Sequence, residues 1–80
     1  MTYLKFNALS LQNQADILGK YGVLLGERET FHFEISLFQL EGFYVEVFYH
    51  KKHKTTLFEG FDNVSLLYPY LKEINITGLF

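Results

Sequence analysis

The chain has 80 residues, and 19% of them are aromatic. A chain of this length predicts one small domain over residues 1–80. The stability of so small a core depends on the large buried areas that aromatic side chains supply. The formal net charge of −2 argues against a nucleic-acid partner, because nucleic-acid-binding domains usually carry a basic balance or a basic stripe.

In chain order, the first predicted element is a helix from Leu11 to Tyr21. Ser10 is a residue type that caps helix N-termini, and Gly22 stands where a C-terminal glycine belongs. Four residues recur at helical spacing and predict its buried side: Leu11, Ala15, Leu18 and Tyr21. Residues 1–9 have no clear period, and we expect them to lie against the domain as an apolar arm.

Residues 23–28 predict a first strand, and residues 31–50 predict an antiparallel hairpin that organises the rest of the chain. A two-residue turn at Glu41-Gly42 would place Leu37 opposite Glu46. A three-residue loop from Leu40 to Gly42 places Leu37 opposite Val45 instead, and it gathers the apolar residues from Phe31 to Tyr49 on one face. The sequence therefore predicts the three-residue loop, with Gly42 in a left-handed conformation.

Residues 51–54 predict a charged loop, and residues 55–61 predict a fourth strand. A helical segment is predicted from Val64 to Ile74, with Pro69 at the start of its second turn. The fold class is therefore α+β: a four-stranded antiparallel meander with an N-terminal helix packed on one face and a short C-terminal helical segment.

Three runs of the chain resemble a group of short, uncharacterised bacterial proteins that have a helix, an antiparallel sheet and a closing PYL segment. The runs are LQNQADILGKYGVLLGERE, FYVEVFYH and YPYLKEINI, and the likeness that they mark extends over most of the chain, from residue 11 to residue 76. The resemblance implies a similar small α+β domain. It brings no activity and no binding residue with it, because none is established for that group.

Two histidines and a carboxylate are the candidate metal ligands. In the predicted register His32 lies directly across from His50, and Glu34 follows on the same face. Two imidazoles and one carboxylate are the composition of several metal sites. Solvent-exposed polar residues on a sheet explain the same three side chains more simply, so we expect no metal and no cofactor.

The predicted register also places Phe38, Tyr44 and Phe48 together, on the face away from the helix. An exposed aromatic patch on a small domain often marks an association surface. Burial of the patch by the C-terminal segment, with Leu67, Tyr70 and Leu71, is an equally good interpretation.

The sequence predicts no enzyme, because no catalytic signature rises above background. We expect a protein–protein interaction module, homodimeric through a sheet face or edge; the alternative is a metal- or small-ligand-binding domain that uses His32, His50 and Glu34. Cysteine is absent and no apolar run has the length of a membrane span, which favours a cytoplasmic protein without a membrane partner.

Overall fold

The computed structural model of the protein describes residues 1–70. Two helices are followed by four strands and a short 3₁₀ helix, here called the 3₁₀ segment. The bounds are α1 Tyr3–Asn7, α2 Leu11–Tyr21, β1 Val23–Glu29, β2 Phe33–Leu40, β3 Phe43–His50, β4 Thr56–Phe61 and the 3₁₀ segment Val64–Tyr70. The strands form one antiparallel sheet in the order β1-β2-β3-β4, which confirms the predicted α+β meander.

Helix α2 has the predicted bounds. The Ser10 hydroxyl accepts a hydrogen bond from the Asn13 N–H at 3.2 Å, as an N-cap should. Gly22 ends the helix with an extended backbone, and a Cβ there would meet the Leu18 carbonyl oxygen at 2.6 Å. Glycine is therefore required at this end by the close approach of Leu18 and not by a left-handed conformation.

The buried side of α2 differs from the predicted stripe. Leu18 is buried, but Leu11 and Tyr21 are 54% and 70% exposed. Gln14 is buried in their place, because its side-chain amide donates to the Phe6 carbonyl oxygen at 3.0 Å. Residues 1–9, predicted to be an apolar arm without regular structure, contain the short helix α1. That helix places Phe6 fully inside the core.

The predicted three-residue loop between β2 and β3 is wrong. Leu40 lies opposite Phe43, so the turn is the two-residue Glu41-Gly42, with Gly42 left-handed as expected at φ +88°. Leu37 therefore lies opposite Glu46. The prediction assumed that only one sheet face is buried, whereas both faces are partly covered. Phe31, predicted to lie in the core, precedes β2 and is 89% exposed.

Each face of the sheet carries its own core. On the helix face, α1 and α2 cover a cluster formed by Phe6, Leu18, Leu40, Phe43 and Val45. On the opposite face, which we call the outer face, the 3₁₀ segment contributes to a second cluster formed by Ile35, Leu37, Phe61 and Tyr70. The two-residue turn is compatible with both clusters, because its register distributes the apolar residues of the hairpin over the two faces of the sheet.

The C-terminal helical prediction is confirmed in part. The Asn63 side chain accepts hydrogen bonds from the backbone N–H and the hydroxyl of Ser65, at 3.0 and 2.8 Å, and so starts the 3₁₀ segment. Pro69 lies inside that segment. The predicted continuation to Ile74 lies outside the described residues.

Candidate functional site

The structure separates the predicted aromatic patch. Tyr44 and Phe48 pack against the outer-face cluster, but Phe38 packs against the cluster on the helix face. The two-residue turn is the cause, because it places Phe38 opposite Val45 and leaves Tyr44 opposite Gln39. The prediction that the three share one face is therefore wrong. A role of Tyr44 and Phe48 in association stays a prediction.

The C-terminal segment does return to the outer face. Leu67 and Tyr70 of the 3₁₀ segment belong to the same cluster as Tyr44 and Phe48, and both of these aromatic side chains are half-buried. The C-terminal segment therefore packs on the same face as Tyr44 and Phe48, and both interpretations of these two residues stay predictions.

The candidate metal ligands are also divided. The rings of His32 and His50 stack with their centroids 5.9 Å apart, but the predicted pairing of the two residues directly across the strands is wrong. Glu34 lies opposite Tyr49, while His50 lies opposite Phe33 on the other side of the sheet. Among residues 1–70, no group of three side chains of the metal-binding types is placed to hold a metal ion.

A third histidine extends the stack. The ring of His53 lies 4.4 Å from that of His50, and the backbone N–H of His53 donates to His50 Nδ1 at 3.1 Å. Partial loss of contact with water lowers the pKa of His50, and the charges of His53 and His32 lower it further. His50 therefore favours its neutral form beside the other two rings.

A buried polar network on the outer face was missed by the sequence analysis. Glu46 is only 8% exposed; its Oε2 accepts a hydrogen bond from the Tyr70 hydroxyl at 2.7 Å and from Arg28 Nη2 at 3.1 Å. The Arg28 guanidinium also lies 5.4 Å from the centre of the Tyr70 ring. The sequence analysis rejected the pairing of Leu37 with Glu46. The structure tolerates it because Arg28 neutralises the Glu46 carboxylate and both Arg28 and Tyr70 donate hydrogen bonds to it.

This network links three separate parts of the chain. Arg28 comes from β1, Glu46 from β3 and Tyr70 from the 3₁₀ segment. Burial and the hydrogen bond to Glu46 raise the pKa of Tyr70 above its usual value, so its hydroxyl stays a donor. The network therefore fixes the 3₁₀ segment to the sheet. Its signal in the sequence was the position of Glu46 between Tyr44 and Phe48, two aromatic residues on the same face of the strand.

Comparison with known proteins gives no relative. No family model, no curated protein and no solved structure matches the chain. The function must therefore be inferred from the geometry of residues 1–70. In that range no helix is long and apolar enough to cross a membrane.

An apolar strip runs over the outer face to the edge of the sheet. Phe33 and Phe48 contact each other edge-to-face with their ring centres 5.9 Å apart, and Phe48 lies opposite Leu57 of β4. Leu57 is 60% exposed. The three side chains line part of a cleft of about 550 Å³ beside β4.

The edge of β4 is closed at one end by a side chain. The Asn7 amide donates to the Gly60 carbonyl oxygen at 2.9 Å, and its oxygen accepts from the Gly60 N–H at 2.7 Å. Asn7 thus makes the two hydrogen bonds that a neighbouring strand would make. A Cβ on Gly60 would lie 3.1 Å from the Asn7 oxygen and 3.3 Å from the Phe6 ring, so the contact favours glycine.

Proposed function

We propose that this protein is a small protein–protein interaction module that acts as a homodimer through its sheet. The observation that carries the proposal is the apolar strip of Phe33, Phe48 and Leu57, which ends in a largely exposed leucine at an edge strand. Natural sheet edges are usually protected by charge, bulges or covering elements, and an apolar edge is a template for pairing with another chain.

The alternative function, metal or small-ligand binding by His32, His50 and Glu34, has no comparable support. Glu34 lies on the helix side of the register and the histidines form a stack without it. We place the homodimer in the cytoplasm, because a chain without cysteine suits a reducing compartment.

The solution mass tests the proposal. Light scattering over a range of protein concentrations is expected to show a particle of twice the 9.4 kDa chain mass, with the same mass in the presence of a chelator. A particle of 9.4 kDa at all concentrations would refute the homodimer. A mass or melting temperature that depends on the chelator would favour the metal-binding alternative.

A further inference from the structure

In the part of the chain that the structure describes, the sheet has two edge strands, β1 and β4, and they are protected to different degrees. Strand β1 has an irregular register between Leu24 and Gly26, and the 3₁₀ segment packs beside it. The Thr30 N–H donates to the Phe33 carbonyl oxygen, so alternation directs the backbone groups of Glu27 and Glu29 outward. The irregular register and the two acidic side chains thus discourage pairing at β1.

The backbone of β4 alternates in the same way. The His50 N–H donates to the Thr55 carbonyl oxygen at 2.9 Å, and Gly60 directs both of its backbone groups away from β3 toward Asn7. Between these two fixed points the alternation directs the backbone groups of Thr56 and Phe58 outward as well. Asn7 satisfies Gly60 alone, so within residues 1–70 the edge presents a short strip formed by Thr56 and Phe58.

We propose that a second copy of this chain pairs with this strip, antiparallel and centred on Leu57, so that the two sheets become one. This inference rests on the proposed homodimer and specifies its contact. Thr56 then exchanges two N–H···O bonds with the partner's Phe58, and symmetry repeats the pair. Both outward-facing residues of each strip gain a partner, which shows that the strip is self-complementary.

The side chains are compatible with this register. The two Leu57 residues face each other across the two-fold axis on the outer face, where each extends the strip of Phe48 and Phe33. Glu59 lies opposite the partner's Thr55, next to the partner's Lys54, so no acidic side chains oppose each other. A register centred on Phe58 would bring the outward-facing Thr56 opposite Gly60, where Asn7 already occupies the backbone groups. In the register centred on Leu57 the residue opposite Gly60 is Lys54, which precedes β4 and whose N–H already donates to the His50 carbonyl oxygen.

Matched charge substitutions on the two edges test the contact by light scattering. Leu57→Lys places like charges directly across the axis, and it is expected to reduce the mass from twice the chain mass to the chain mass. Leu24→Lys makes the same change on β1 at a residue of similar exposure, 50% against 60%, and is expected to remain dimeric. Dimeric Leu57→Lys with monomeric Leu24→Lys would overturn the inference.

Two further variants keep the test decisive if Leu57→Lys does not fold, as judged by circular dichroism. Thr56→Pro removes one outward N–H at the first residue of β4, a position that proline tolerates, and is expected to give a folded monomer. Leu57→Cys introduces a single cysteine into a chain that has none, and mild oxidation is expected to cross-link most of the dimer. Leu24→Cys is the control and is expected to remain uncross-linked.

The outcomes separate the two proposals. A wild-type chain that is monomeric at all concentrations refutes the homodimer and this contact together. A wild-type dimer that survives both Leu57→Lys and Thr56→Pro, and that Leu57→Cys does not cross-link, overturns the β4 contact alone.

Discussion

Replacing Tyr70 by phenylalanine tests the buried network on the outer face. The change deletes the hydroxyl that donates to Glu46 at 2.7 Å and keeps the aromatic ring, which is fully buried. A hydrogen bond to a charged group contributes about 1.5–3 kcal/mol, and Arg28 remains as a partner for the carboxylate. We expect Tyr70→Phe to lower the free energy of unfolding by about 2 kcal/mol, which raises the unfolding constant roughly 30-fold.

Urea denaturation followed by circular dichroism measures this loss. Tyr68→Phe is the matched control, because Tyr68 lies in the same 3₁₀ segment and is 70% exposed. The control is expected to stay within about 0.5 kcal/mol of the wild type. If Tyr70→Phe unfolds at the same urea concentration as Tyr68→Phe, the hydrogen bond does not hold the segment to the sheet and the reasoning is refuted.

The same hydroxyl gives the network a dependence on alkaline pH. The pKa of Tyr70 is raised in the folded state by burial and by Glu46, while an unfolded tyrosine ionises near its usual value of about 10. Above that pH the unfolded state holds fewer protons than the folded state, so stability falls as the pH rises. We expect a smaller fall in Tyr70→Phe than in the wild type.

Two further predictions concern glycines and histidines. Gly19→Ala adds a Cβ with no neighbour within 4 Å in the last turn of α2 and should stabilise the protein by about 0.4–1 kcal/mol, whereas Gly60→Ala crowds Asn7 and should destabilise it by about 1–3 kcal/mol; equal melting temperatures for the two variants would contradict this. Because the pKa of His50 is lowered in the folded state, the unfolded state binds more protons below about pH 6.5, and stability should fall as the pH drops through that region. An NMR titration of His53→Gln should show the pKa of His50 moving upward, and an unchanged midpoint would be evidence against repulsion from His53.

Local signals in the sequence determined most of the secondary structure. Ser10 and Gly22 set the bounds of α2 because capping and close approach depend on residues near in sequence. Alternation identified the two strands of the hairpin and, over a shorter run, the fourth strand, while an apolar start and its length identified the first. Gly42 marked the hairpin turn through its left-handed backbone. The α+β meander followed from the order of these elements.

The register of the hairpin was decided only by the tertiary structure. Alternation specifies a register when one face is buried, but here the helices cover one face and the 3₁₀ segment contributes to covering the other. Glu46 could then enter an apolar face, because Arg28 and Tyr70, distant in sequence, meet it there. The predicted patch and the predicted metal ligands depended on the register of the three-residue loop, which the structure does not have. The residues of both sets are therefore divided between the two faces of the sheet. The sequence determined which segments are strands, whereas contacts between distant segments determined what each face presents.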